Sequence, residues 1–170
     1  MDAYEILDDS KGRKQVIFMS IDFSEHTLPV TDIVIGYGGC DAIIISAAED
    51  RTCKVWSFSR GTLLRNIVFP SIIDAIASDP AEHVFYAGSR DGKIFIAGLI
   101  TERIFSQNHD MYIIGSFSIH IKAVTCLTYS ASGNLLISGS EDGTIRVWNA
   151  RTHNIVCTLK HEKNQGSSAF

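Results

Sequence analysis

Residues 138–148 read SGSEDGTIRVW: a strand end of small residues, an acidic tight turn, and an apolar strand closing on tryptophan. Two other stretches carry the same skeleton, SAAEDRTCKVW at 46–56 and AGSRDGKIFIA at 87–97. In each, an aspartate (Asp50, Asp91, Asp142) follows a small residue by four positions and precedes an aliphatic one (Val55, Ile96, Val147) by five. Self-similarity of this kind marks a repeat architecture and has to be weighed before any single motif.

The flanks of the third copy define the unit. AVTCLTY (123–129) alternates and is β-branched, SASGN is a cluster of turn formers, and LLISGS (135–140) is an apolar strand running into small residues. Glu141-Asp142-Gly143 forms a tight turn in which Gly143 is free to take positive φ, TIRVW (144–148) is a third strand, and IVCTL (155–159) is a fourth. Four short antiparallel strands within about 40 residues make one blade of a β-propeller. The first copy reads the same way through VTDIVIG (30–36), IIISAA (43–48), TCKVW (52–56) and LLRNIVF (63–69). The middle copy offers IIDAIAS (72–78), VFYAGS (84–89), KIFIA (93–97) and a short RIF (103–105).

The expected fold is therefore all-β, a partial and open propeller of three four-stranded antiparallel blades. Its expected divisions are an N-terminal segment 1–23, with Val16–Phe23 as an outer strand, a blade over 24–69, and a second over 70–106. A connecting insertion follows at 107–119, then a blade over 120–160 and a polar tail at 161–170. The period is uneven, because Asp50 to Asp91 spans 41 residues and Asp91 to Asp142 spans 51. The excess lies between Gly98 and Ser118, either as an extra strand of its own sheet or as a partner-binding loop.

Composition narrows the function classes. A chain of 170 residues that is 45% hydrophobic and 20% charged has the makeup of a soluble globular domain. Fifteen basic against nineteen acidic side chains give a net charge of -4, which gives no support to direct nucleic-acid binding or to condensation on an anionic membrane. The four cysteines, Cys40, Cys53, Cys126 and Cys157, include no C-x-x-C pair, so no metal site is expected and reduced intracellular thiols are. No run approaches the roughly 18 consecutive apolar residues of a membrane span, and the start has no signal-peptide pattern.

Four residues of the third copy fall into relation: His120 before the first strand, Ser138 in the second, Asp142 in the turn and Trp148 closing the third. The first copy holds His26, Ser46, Asp50 and Trp56 at equivalent places. In the middle copy Phe69, Ala87 and Ala97 replace all but Asp91. Serine, histidine and aspartate together invite a hydrolase reading. A nucleophilic serine, however, requires an oxyanion hole and a strained elbow such as G-x-S-x-G, and LLISGS is a plain strand. No catalytic residue and no cofactor is expected.

The two sets resemble the Asp-His-Ser/Thr-Trp tetrad of WD-repeat propellers, in which aspartate holds histidine, histidine meets serine, and serine meets the indole N–H. The ordered set of PVTDI, the Gly-Gly turn, EDRTCKVW, a tetrad-poor blade and VTCLTYSASGNLLISGSEDGTIRVW resembles more narrowly the WD-repeat subunit of the Rix-type pre-ribosome maturation complex, over residues 20–161. That resemblance implies a non-enzymatic scaffold in a nuclear and nucleolar complex maturing the large ribosomal subunit and its rRNA. Its implied partners are proteins of a Rix-type complex and pre-ribosomal particles, with no small-molecule substrate and no membrane. Propellers of this family close with about seven blades. A second resemblance, of Trp148-Asn149-Ala150-Arg151 to the W-D-x-R end of the motif in substrate receptors of cullin-type ubiquitin ligases, makes Trp148 and Arg151 an alternative ligase-adaptor contact. Asn149 stands there in place of aspartate.

Overall fold

The computed structural model describes residues 2–8, 14–20, 25–39, 42–99, 112–118 and 120–160. Fourteen strands are assigned among them. Asp2–Asp8 (β1) and Lys14–Ser20 (β2) pair antiparallel as a two-stranded sheet, Asp2 opposite Ser20. The expected outer strand at 16–23 thus falls at 14–20, and its partner β1 has no counterpart in the sequence reading.

The remaining strands form three four-stranded meanders. The first blade comprises Val30–Ile35 (β3), Ile43–Ala48 (β4), Thr52–Ser57 (β5) and Thr62–Val68 (β6). The middle blade comprises Ile73–Ser78 (β7), Val84–Ser89 (β8), Lys93–Gly98 (β9) and Ile113–Ser118 (β10). The third comprises Val124–Tyr129 (β11), Leu135–Ser140 (β12), Thr144–Asn149 (β13) and Ile155–Lys160 (β14). The inner strand β7 packs beside both β3 and β11, so the blades stand side by side as in a propeller.

One expected boundary is corrected. The blade expected to end at 106 and the insertion expected over 107–119 give way to a middle blade whose fourth strand is β10, inside that insertion. The expected strand at 103–105 lies outside the described residues. The physical reason is visible in β10. A bulge between Ile113 and Gly115 shifts the side-chain alternation, so Ile113 packs against the seam with the first blade and Phe117 against the seam with the third.

Two seams hold the blades. Ile45, Cys53, Val55 and Ile67 of the first blade meet Phe69, Phe85, Phe95 and Ala97 at the middle one. Tyr86, Ile94 and Ile96 then meet Val124, Leu136 and Trp148 of the third. The middle and third blades thus turn equivalent faces toward the blade before them. On the opposite face of the third blade, among the described residues, Ile145 is 46% and Leu159 56% exposed, whereas their first-blade counterparts Cys53 and Ile67 are both 0% exposed. The tetrad face of the first blade is divided: Ile44 and Trp56 are buried, while Val30, Ile33 and Ile35 along β3 are exposed.

Candidate functional site

In both complete blades the turn between the second and third strands places the acid. Gly143 adopts φ 78°, and its amide donates to Ser140 O at 3.1 Å, closing the turn and presenting the Asp142 carboxylate inward. Arg51 takes the same left-handed conformation at φ 65° in the first blade, a position where a side chain is disfavoured.

From the carboxylate a continuous chain of hydrogen bonds runs beneath the indole. In the third blade His120 Nδ1 lies 2.9 Å from Asp142 Oδ2, Nε2 lies 2.8 Å from Ser138 Oγ, and Trp148 Nε1 donates to Ser138 Oγ at 2.9 Å. The first blade repeats it at 3.0 Å (His26 to Asp50), 2.7 Å (His26 to Ser46) and 3.0 Å (Trp56 to Ser46). The donors fit one tautomer: serine accepts from the indole and donates to Nε2, so Nδ1 carries the proton given to the carboxylate. Ser138 is 0% exposed and His120 is buried, so this Ser-His-Asp set offers no surface to a substrate.

Sequence reasoning missed a fifth member. Thr144 gives both its amide (2.9 Å) and its hydroxyl (2.5 Å) to Asp142 Oδ1, and Thr52 does the same to Asp50 at 2.9 and 2.6 Å. The signal was present, because both complete copies carry threonine two residues after the aspartate and the middle copy carries Lys93. Burial pushes the carboxyl pKa of Asp50 up, but the Thr52 hydroxyl, the Thr27 amide and His26 outweigh it and hold the value down at about 2. Asp142 is held well below the usual carboxylate range: burial there is outweighed by Thr144, His120 and the Ile121 amide.

The middle blade solves the same space without the chain. Phe69, Ala87 and Ala97 are all buried in the first seam, with the Phe69 ring 5.5 Å from Phe95 and 6.4 Å from Phe85. Asp91 turns to its own hairpin, accepting from the Ser89 hydroxyl, from the Lys93 amide at 3.3 Å and from the Lys93 ammonium at 3.2 Å. Burial raises its carboxyl pKa, and these contacts more than offset that.

Polar contacts that the sequence did not announce cross the seams. Asp32 accepts the Ile76 amide of the next blade at 2.8 Å, and Arg90 spans Asp74 at 2.7 Å and Glu49 of the preceding blade at 3.2 Å. Trp148 and Arg151 are placed apart in environment: the indole is buried and committed to Ser138, while Arg151 is exposed in a turn whose Asn149 Oδ1 accepts the Arg151 and Thr152 amides, each at 3.0 Å. Among the described residues no group of three His, Cys, Asp or Glu side chains is arranged to hold a metal ion, and no helix is long and apolar enough to cross a membrane.

This architecture matches known proteins. The family model described as "WD domain, G-beta repeat" matches residues 18–57 and 111–149. Protein ROOT INITIATION DEFECTIVE 3 of Arabidopsis thaliana is 52% identical over 158 residues, which is 93% of this chain and 35% of that protein. Pre-rRNA-processing protein crb3/ipi3 of Schizosaccharomyces pombe is 28% identical over 169 residues, covering 81% of this chain and 37% of the relative. Among solved structures, the crystal structure of RRP9 WD40 repeats superposes with a TM-score of 0.69 at 25% identity, covering 81% of this chain and 40% of that one. The chain spans about a third of the length of the curated relatives it matches. With three four-stranded blades, two complete hydrogen-bonded sets at equivalent positions and these likenesses, the chain belongs to the WD-repeat family.

Proposed function

We propose that this chain is part of a non-enzymatic protein-interaction scaffold that acts in pre-rRNA processing and large ribosomal subunit maturation, in the nucleolus and nucleoplasm, as a subunit of a Rix-type complex on pre-ribosomal particles. The tetrads His26, Ser46, Asp50, Trp56 and His120, Ser138, Asp142, Trp148 serve as structural struts. The observation that carries the scaffold reading is the closure of each strut. Ser138 Oγ is fully buried and engaged at both ends, donating to His120 and accepting from Trp148, which leaves this serine out of reach of a substrate. The process is suggested by likeness to the S. pombe pre-rRNA-processing protein.

A tagged native protein is expected to sediment with large-subunit precursor particles, and its depletion is expected to accumulate unprocessed pre-rRNA. A protein that stays at the top of the gradient, with pre-rRNA unchanged on depletion, overturns the reading. A ubiquitin-ligase receptor role would rest on Arg151 alone, since Trp148 is buried, and recovery of a cullin adaptor in the same purification would establish it.

A further inference from the structure

The first and third blades differ in how the face that bears the strut is covered. In the third, the middle blade covers its full width: Val124 on the inner strand, Leu136 and Ser138 on the second and Trp148 on the third are all buried. In the first, Ile44 and Ser46 on β4 and Trp56 on β5 are buried, and Lys54 beside Trp56 is only 6% exposed. The buried Oδ1 of Asn66, which pairs with Lys54, extends the cover to β6. The cover stops at β3, where Val30, in the place of Val124, is 53% exposed and Ile33 is 57% exposed. The middle blade packs on the opposite face of this blade, so it supplies none of this burial.

Two features identify what covers it. The cover is narrower than a four-stranded blade, and the chain has a two-stranded sheet to match it: β1 and β2, which among the described residues pair only with each other. A lone hairpin is marginally stable in water and requires an apolar surface, while a lysine is buried to this degree only where its stem lies along a neighbour. Chain order supplies the second feature. β2 is the strand before His26 and β3, as β10 is the strand before His120 and β11. In the latter case the covering elements are the antiparallel pair β9 and β10: Ile94, Ile96 and Phe117 pack on the third blade, with the Phe117 ring 4.6 Å from Trp148.

We propose that the β1–β2 hairpin docks on the strut face of the first blade over Ile44, Lys54, Trp56 and Asn66, and is to Trp56 what β9 and β10 are to Trp148. The hairpin gains the surface that keeps two strands folded. The first strut gains the exclusion of water that the third blade's strut draws from the middle blade. Val30, Ile33 and Ile35 lie beyond the hairpin's edge. This contact is independent of the ribosomal reading and stands or falls without it.

Trp56 and Trp148 are the two tryptophans of the chain, so fluorotryptophan labelling of the whole protein gives one fluorine resonance at each strut. Trp56→Phe assigns them. The test is the set of single substitutions Gln15→Lys, Val16→Lys, Ile17→Lys, Phe18→Lys and Met19→Lys along β2. The Trp56 resonance is expected to move toward its position in the unfolded chain at alternate residues, because only one side of a strand meets the blade, while the Trp148 resonance holds. Ile33→Lys, on the uncovered strip, is expected to leave both in place. A Trp56 resonance unmoved by every substitution in β2 overturns the proposal and assigns the cover to another part of the chain. Movement of both resonances together, or of Trp56 without alternation, overturns it equally.

Discussion

The middle and third blades present equivalent positions to the blade before them and fill them with opposite chemistry. The third uses His120, Ser138 and Trp148 in a hydrogen-bonded strut, and the middle uses Phe69, Ala87 and Ala97. All six are buried. The comparison teaches that the seam demands density and satisfied polar groups rather than a particular motif. A polar chain is tolerated in the interior because each donor finds an acceptor, and an aromatic cluster is tolerated because it has none to satisfy. The two solutions differ in what they are vulnerable to: the apolar seam to lost volume, and the strut to a lost partner or a lost charge.

The largest effect should come from breaking the apolar side. Phe69→Ala removes a ring packed between Phe85 and Phe95. It is expected to cost about 3–5 kcal/mol in chemical denaturation, with the first seam loosening before the second. A loss no larger than that of a surface substitution would show that the middle blade does not depend on this ring.

Next in size is the contrast between the two acids. Asp142→Ala strands donors from Thr144, His120 and Ile121 and is expected to cost about 1–3 kcal/mol. Asp91→Ala removes a contact with an exposed lysine and a hairpin serine and is expected to cost about 1 kcal/mol or less. Equal shifts in denaturation midpoint would erase the distinction between strut and hairpin.

The last effect is in pH. Asp50 and Asp142 are held below the ordinary carboxylate value of about 3.9 in the folded state, so their contribution is complete above that value and is lost as pH falls through the folded values, about 2 for Asp50 and lower for Asp142. Stability followed by denaturant midpoint is expected to be insensitive to these groups between pH 7 and pH 5 and to fall from about pH 4 downward. A fall centred near pH 6 would assign the titration to another group.

Much of this was legible in the residues. The strands of the first and third blades fall within a residue or two of where alternation and turn formers put them, because each blade is built from local hairpins whose register the turns set. The strut members were legible for the same reason, since their spacing repeats with the strands that carry them. The outer strand of the middle blade was legible only as one of two readings of the Gly98–Ser118 excess, an extra strand of its own sheet, and its place was not. Ile113–Ser118 contains a bulge and a glycine that spoil its alternation, and a long connection separates it from β9. The roles of Thr52 and Thr144 were written two residues after each aspartate, yet threonine in a strand ordinarily signals only β propensity.

What the sequence by itself determined about this protein is the repeat, the strand plan of two blades and the residues of both struts, all of which depend on contacts within one blade. Only the tertiary structure decided how neighbouring blades meet. Cys53 of the first blade is sealed by the middle blade. Likewise Asp32, Arg90 and the Tyr86–His153 pair take their partners from a neighbouring blade. The physical reason is that burial and cross-seam bonding are properties of two surfaces brought together, and a local pattern specifies only one of them.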